Sequence, residues 1–196
     1  MAPSDTLAGA DAPSTRVAVF GGSFNPPHVA HVLAAAYVLA CEEIDRVLVV
    51  PAFRHPFSKS LAPFDDRVEM CRLAFVDLSR VEVSRVEGDL GGESRTVRTL
   101  EHLAQMHPRW SMRLVVGADV VHEMDRWSDP ARVRALAPPL VLGRVGYSLP
   151  PGASVPHVLP EVSSTAIRQS IAEGDVATKL LPTRVRDYIA SKNLYR

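Results

Sequence analysis

Residues 21–31 read Gly-Gly-Ser-Phe-Asn-Pro-Pro-His-Val-Ala-His and lie at the junction of two hydrophobic patterns. The apolar run before them, 16–20, predicts a β-strand, and the Ala- and Leu-rich run 29–43 predicts a helix. Two glycines let backbone amides come close to a ligand. The helix directs its free N–H groups and the positive end of its dipole at the same loop. The stretch therefore predicts an anion-binding site at the end of the first strand.

Two histidines, His28 and His31, are three residues apart and share one face of the opening helical turn. Imidazole donors at the positive end of a helix dipole suit a triphosphate better than a cation, which the dipole opposes. The alternatives are a pair of metal ligands, or structural histidines in the core or at the surface. No third Cys, His or Asp stands at a recognisable spacing, so no metal ligands from the protein are expected. The fingerprint G-x-G-x-x-G is absent, which argues against a nicotinamide-dependent dehydrogenase.

Outward from this loop, β-branched apolar runs alternate with helical patterns along the chain. The alternation predicts an α/β fold with a parallel sheet covered by helices, in a single domain over 16–196. The Ala/Pro/Ser-rich residues 1–15 lack the features of a secretory signal and are expected to form a disordered tail. Further strands are predicted at 47–50, 81–86, 114–116 and 140–142, helices at 65–78, 94–107 (with Ser94 as N-cap), 130–137, 163–174 and 183–192, and loops at 54–63, 88–93 and 146–156.

The composition excludes several functional classes. The 196 residues are 46% hydrophobic, and 22 Lys plus Arg balance 22 Asp plus Glu. A neutral chain has no global basic field for nucleic acid or an anionic membrane, and no apolar run is long enough to span a bilayer. Cys41 and Cys71 lie in apolar helical stretches and are both expected to be buried free thiols. This cysteine usage fits a reducing cytoplasm.

The loop resembles the signature GG[ST]F[DN]P-x-H-x-x-H of the nucleotidyltransferase superfamily with the HxGH motif, with Ala30 in place of the usual glycine. Ser164-Thr165-Ala166-Ile167-Arg168 resembles the second signature of that superfamily, S-[ST]-x-I-R, with Ser163 just before it. The resemblance implies a Rossmann-like sheet with helices on both faces and an ATP site between the two motifs. The implied ATP-binding residues are Gly21, Gly22, Ser23, Phe24, His28, His31, Gly117, Asp119, Ser163, Ser164, Thr165 and Arg168.

From residue 16 onward the chain resembles the bacterial nicotinate-nucleotide adenylyltransferases. Gly117-Ala118-Asp119 with Trp127 matches that family's G-x-D-x₇-W pattern. The match implies that Asp119 contacts the adenosine ribose and that Trp127 stacks on the pyridine ring. Ser94-Arg95-Thr96 falls where the family has S-Y-T, a helix start whose amides bind the nicotinate carboxylate. Arg95 replaces the tyrosine, and Arg144 resembles the family's basic residue after the next strand.

One element departs from the family pattern. A PPH[KR] element usually follows the second strand, whereas this chain reads Arg54-His55-Pro56-Phe57-Ser58-Lys59. Lys59 is expected to contact phosphate from this loop, with a solvated lysine as the alternative. The residues expected to act in catalysis are His28, His31, Lys59 and Arg168.

The resemblance implies transfer of AMP from ATP to nicotinate mononucleotide, giving deamido-NAD and pyrophosphate, with Mg²⁺ bound to ATP. The alternatives are an adenylyltransferase acting on nicotinamide mononucleotide or phosphopantetheine, a cytidylyltransferase, and a non-catalytic nucleotide-sensing module. An intact histidine pair and Arg168 argue against the sensing module. The sequence leaves the oligomeric state open, a homo-oligomer included.

Overall fold

A computed structural model describes residues 14–54, 61–144, 147, 158–160, 162–175 and 179–196. Within them, six parallel strands form a sheet in the order β3-β2-β1-β4-β5-β6. The expected Rossmann-like α/β class is confirmed. The strands are β1 (Thr15–Gly22), β2 (Arg46–Pro51), β3 (Val81–Val83), β4 (Trp110–Gly117), β5 (Pro139–Arg144) and β6 (Val158–Leu159).

Helices cover both faces of the sheet. Alternate residues of β1 face opposite sides, so Ala18 packs with one hydrophobic cluster while Val17 and Val19 pack with the other. The first cluster contains side chains from the helices called α1, α2, α7 and α8 below, and the second contains side chains from α4 and α6. The helices are α1 (Val29–Cys41), α2 (Phe64–Phe75), α3 (Val86–Leu90), α4 (Thr96–Met106), α5 (Ala118–Val121), α6 (Pro130–Leu136), α7 (Ser164–Ala172) and α8 (Thr183–Lys192), with a 3₁₀ turn at Met124–Arg126.

The strand order reverses direction at β1. The chain moves outward from β1 to β2 and β3, and then returns to place β4 on the other side of β1. In open parallel sheets, ligands bind in the crevice beyond the carboxyl ends of the strands at this reversal. Gly21 and Gly22 are the last residues of β1 and not part of the loop as predicted, and residues 23–28 connect them to α1. The fold therefore places the two glycines and the histidine pair at this crevice.

Most predicted elements are present, and α8 has the predicted bounds. The first strand begins at Thr15, one residue before its predicted start, and the predicted tail falls on residues 1–13, which lie outside the described part. The predicted strand 81–86 ends at Val83, and α3 replaces the end of that strand and the start of the predicted loop 88–93. There the Ser84 hydroxyl accepts the N–H of Val86 and turns the chain. The predicted loop 146–156 lies outside the described residues except Tyr147.

Two side-chain predictions were wrong. The N-cap of α4 is Arg95, not Ser94, because the Ser94 hydroxyl accepts the backbone N–H of Arg54 at 3.2 Å instead. Cys41 is exposed, since it ends α1 beyond the part of that helix that packs on the sheet. Cys71 is buried as expected, and burial raises the pKa of its thiol. Among the described residues, no helix has both the length and the apolar character that a membrane crossing requires.

Candidate active site

A cavity of about 750 Å³ opens at the carboxyl ends of β1 and β4. Its volume is within the usual range for small-molecule sites. The strand ends, the first turn of α1, the start of α4 and the segment after β4 all contribute to its wall. Eleven of the predicted site residues line it: Gly21, Gly22, Ser23, His28, His31, Ser94, Arg95, Thr96, Gly117, Asp119 and Trp127.

The glycines of the loop have different surroundings. A Cβ on Gly21 would meet no atom within 4 Å, so its bare Cα leaves open space on the cavity side. A Cβ on Gly22 would come within 3.2 Å of the Phe24 ring. Phe24 is 1% exposed and adopts a positive φ of 45°. Its ring lies 4.9 Å from the His31 ring and 5.5 Å from Phe20, so it supports the histidine from the core side.

The two histidines stack at the N-terminus of α1. Their ring centroids are 3.8 Å apart with planes 28° from parallel, and the backbone N–H of His28 donates to Nδ1 of His31 at 3.1 Å. A neutral imidazole that accepts at Nδ1 carries its proton on Nε2. The bond therefore makes Nε2 of His31 a hydrogen-bond donor. His28 is 6% exposed and is the N-cap of the helix.

The second motif, residues 163–168, forms hydrogen bonds to the loop of the first motif. The Ser163 hydroxyl caps α7 by accepting the Ala166 N–H at 3.4 Å. The Ser164 hydroxyl donates to the carbonyl of Pro26 at 3.0 Å, and Arg168 donates to the carbonyl of Asn25 at 2.8 Å. Arg168 also donates to the Thr165 hydroxyl at 3.2 Å. Residues 163–165, Arg168 and Phe24 are not in the cavity wall formed by the described residues, so their contact with a nucleotide stays a prediction.

Asp119 and Gly117 form a pair at the end of β4. Asp119 lies in the first turn of α5, and its carboxylate folds back so that a Cβ on Gly117 would collide with Oδ1. In this rotamer the Asp119 carboxylate occupies the space of a Cβ at position 117, so a larger residue there would require the Asp119 side chain to turn away. Further along, the partly exposed ring of Trp127 follows the 3₁₀ turn and packs beside the cluster under α4 and α6.

The start of α4 is tied to neighbouring segments by hydrogen bonds. Ser94 bonds to Arg54 through both its backbone N–H, at 3.0 Å, and its hydroxyl. Glu87 accepts the Thr99 hydroxyl at 2.7 Å and the N–H of Phe53 at 3.3 Å. The exposed Arg95 side chain pairs with Glu93 at 3.2 Å. This ion pair offsets part of the positive charge that Arg95 brings to the cavity wall.

Arg67 supports two segments of the cavity wall, at Ser23 and Ala52, and no prediction from the sequence covered it. It is 1% exposed and donates to four backbone carbonyls, those of Ser23, Ala52, Phe53 and Ala62, at 2.7–3.2 Å. Burial lowers the pKa of its guanidinium. The sequence signal for a buried arginine was its position immediately before the apolar stripe of α2. Asn25 and Tyr195 were missed as well, and they are joined by a 2.8 Å hydrogen bond.

Two predicted site residues are beyond what the structure describes. Lys59 lies outside the described residues. For Arg144, only the backbone at the end of β5 is described. In the described part of the chain, no group of three or more His, Cys, Asp or Glu side chains is placed to hold a metal ion.

The fold is a parallel Rossmann-like sheet, and two glycines and a histidine pair lie at the point where its strand order reverses. These features define the class of the protein, which is a nucleotidyltransferase. A family model described as cytidylyltransferase-like matches residues 19–170. Curated proteins called probable nicotinate-nucleotide adenylyltransferase match along nearly the whole chain. One from Anaeromyxobacter dehalogenans is 49% identical (92% of this chain, 96% of that protein), and one from Thermus thermophilus is 38% identical (92% and 100%). The chain belongs to the nicotinate-nucleotide adenylyltransferase family.

A solved structure supports the fold. Plasmodium falciparum nicotinic acid mononucleotide adenylyltransferase complexed with NaAD aligns with a TM-score of 0.79. The alignment covers 92% of this chain and 97% of that one at 19% sequence identity. At this identity the likeness extends to the architecture alone.

Proposed function

We propose that this enzyme transfers AMP from ATP to nicotinate mononucleotide, forming deamido-NAD and releasing pyrophosphate in NAD biosynthesis. The observation that carries the proposal is the convergence of His31, Asp119, Trp127 and the start of α4 on one cavity. Each of these elements suits a different part of the two substrates. The names of the curated relatives support the same reaction.

The reaction is an in-line displacement at phosphorus. An oxygen of the 5′-phosphate of nicotinate mononucleotide attacks the α-phosphorus of ATP, and the bond from that phosphorus to the bridging oxygen of pyrophosphate breaks. The attacking phosphate is already ionised, so no general base or covalent nucleophile is required. Positioning of the two phosphates and stabilisation of the developing charge account for the catalysis.

The motif residues supply positive charge and hydrogen-bond donors. We assign to His31 the donation of Nε2–H to a phosphate oxygen of ATP; its fixed Nδ1 contact with His28 supports this assignment. The amides after Gly21 and the N-terminus of α1 bind the triphosphate. His28, Lys59 and Arg168 are assigned to the same anionic region.

The remaining assignments divide the cavity between the two nucleosides. Asp119 accepts hydroxyls of the adenosine ribose, and Trp127 stacks on the pyridine ring of the acceptor. The helix-opening backbone amides that follow Ser94 bind the nicotinate carboxylate, because the N–H of Ser94 itself already donates to the carbonyl of Arg54. Arg95 and Arg144 are assigned to the same substrate as cations. Support comes from the positions of Asp119, Trp127 and the start of α4 on the cavity wall.

We propose that Mg²⁺ enters with ATP. Its preferred ligands are oxygens, and in nucleotide sites it keeps several waters and binds substrate phosphates. The cavity fits that mode, because Nδ1 of His31 already accepts the His28 N–H and both oxygens of Glu87 are already hydrogen-bonded. Among the described residues, no group of three or more ligating side chains is placed to hold a metal by itself. When bound, Mg²⁺ neutralises phosphate charge. We further propose that residues 16–196 form one catalytic domain, located in the cytoplasm and without a nucleic-acid partner. The proposal covers a monomer and a homo-oligomer alike.

The function is tested by offering ATP and Mg²⁺ with three acceptors in turn: nicotinate mononucleotide, nicotinamide mononucleotide and phosphopantetheine. We expect pyrophosphate release and a deamido-NAD product with the first acceptor, and no turnover in excess chelator. Turnover with none of the acceptors, while ATP still raises the melting temperature, would identify a nucleotide-sensing module instead.

A further inference from the structure

Asn25 lies where three distant segments of the chain meet. Its Oδ1 accepts the hydroxyl of Tyr195 at 2.8 Å and the backbone N–H of Ala62 at 3.0 Å. Its backbone carbonyl accepts Arg168 at 2.8 Å. Asn25 is 2% exposed, so these bonds form away from water, where loss of one donor leaves a polar atom unsatisfied.

Tyr195 reaches Asn25 because the chain turns back after α8. Asn193 caps this helix in the left-handed region, with φ 52°, and Tyr195 itself has φ 66°. Leu194 and Tyr195 then pack against the cluster under α1 and α2. Burial raises the pKa of the Tyr195 hydroxyl, so the group remains a protonated donor at neutral pH.

The position of Asn25 affects both histidines. Phe24, the preceding residue, packs its ring 4.9 Å from His31. Pro26 and Pro27 follow, and their fixed φ angles make the segment to His28 stiff. A displacement of Asn25 would therefore move His31 through Phe24 and His28 through the two prolines.

We propose that Tyr195 is a positioning residue for nucleotidyl transfer, which holds Asn25 and thereby fixes the loop and histidines that receive the triphosphate. This inference rests on the proposed function. Tyr195 is outside the cavity wall of the described residues, and its hydroxyl is bonded to Asn25.

The chain contains a matched control in Tyr188. This tyrosine is on α8, packs against the same cluster, and donates its hydroxyl to Oδ1 of Asp66 at 2.8 Å. Asp66 belongs to α2 and not to the motif loop. The substitutions Tyr195→Phe and Tyr188→Phe therefore remove the same kind of bond, but only one of these bonds reaches the site.

The test measures kcat and KM for the wild type, Tyr195→Phe, Tyr188→Phe, Asn25→Ala and the Tyr195→Phe/Asn25→Ala double variant. Rates are taken per folded molecule, with the folded fraction measured by circular dichroism. We expect Tyr195→Phe to lower kcat about tenfold with KM for nicotinate mononucleotide within about twofold, and Tyr188→Phe to keep kcat within about twofold. In the double variant, Tyr195→Phe should add little, because Asn25→Ala has already removed the bond.

Equal kcat values for the two phenylalanine variants would overturn the proposal. The proposal would also be overturned if the fold-decrease in kcat of the double variant equalled the product of the decreases in the two single variants. A Tyr195→Phe protein that does not fold would overturn it as well. The rise in melting temperature with ATP alone gives a readout that needs no acceptor. A smaller rise for Tyr195→Phe than for Tyr188→Phe supports the inference even where the acceptor assignment fails, and equal rises contradict it.

Discussion

The backbone N–H of His28 donates to Nδ1 of His31 at 3.1 Å, so one histidine sets the proton position of the other. In the neutral ring the proton then lies on Nε2. Since His28 is buried at the N-cap of α1, the donor belongs to the rigid start of a helix and not to a freely rotating side chain. The motif therefore combines a helix cap with a fixed imidazole N–H, the group that we assign to a phosphate of ATP.

The substitution His31→Asn separates these two roles. Asparagine Oδ1 can replace Nδ1 as the acceptor of the His28 N–H, but it provides no group at the position of Nε2. We expect kcat to fall by about 10²–10³, as when one oxyanion-type donor is lost, with KM for nicotinate mononucleotide nearly unchanged. Steady-state kinetics check this result, and His107→Ala at the exposed end of α4 is the control. A near-normal kcat in His31→Asn would limit His31 to helix capping.

The start of α4 predicts a preference for the acid over the amide substrate. A nicotinate carboxylate gains charge-assisted hydrogen bonds from the free amides, whereas a carboxamide directs an NH₂ group at donors. We expect kcat/KM for nicotinate mononucleotide to exceed that for nicotinamide mononucleotide by about 10² or more.

The Arg95→Ala variant shows whether the nicotinate carboxylate is recognised by the backbone amides of α4 or by the Arg95 guanidinium. Because Arg95 is exposed and paired with Glu93, we expect most of the preference to remain in this variant. Equal efficiency with both acceptors in the wild type would refute the substrate assignment.

Gly21→Ala tests whether the first glycine is required by the ligand and not by the fold. A methyl group there meets no protein atom within 4 Å and lies on the cavity wall. We expect an unchanged melting temperature and a KM for ATP raised about tenfold or more. The control is Gly174→Ala, which also has open space but a φ of +95°. It should lose about 1–2 kcal/mol of stability and keep its KM. A Gly21→Ala enzyme with normal KM would place the triphosphate elsewhere.

Arg67→Met should destabilise the protein strongly. It removes one buried guanidinium and leaves four backbone carbonyls without their donor. We expect the free energy of unfolding in urea to fall by about 3 kcal/mol or more. Arg72→Met on the same helix removes an exposed pair with Glu69 and should cost less than about 1 kcal/mol. Similar losses in the two variants would mean that the Arg67 bonds contribute little.

The sequence alone was sufficient for the fold class, and it directed attention to the end of the first strand, where the cavity lies. Hydrophobic periodicity and turn residues act between neighbours in the chain, so the alternation of strands and helices and the bounds of α8 follow directly from them. The Gly-Gly loop and the paired histidines are also local features. Their spacing of three brings the two rings together because His28 is the N-cap and His31 the third residue of α1.

Only the tertiary structure decided how the loop is held. Arg168 and Tyr195 bond to Asn25 from 143 and 170 residues away. Arg67 donates to three carbonyls in two other segments and to a fourth just before its own helix. The same applies to Ser94, whose hydroxyl bonds to Arg54 and not to its own helix. Every residue carries a backbone carbonyl, so side-chain identity does not encode which carbonyl a donor will meet. The packing of the helices on the sheet makes that choice.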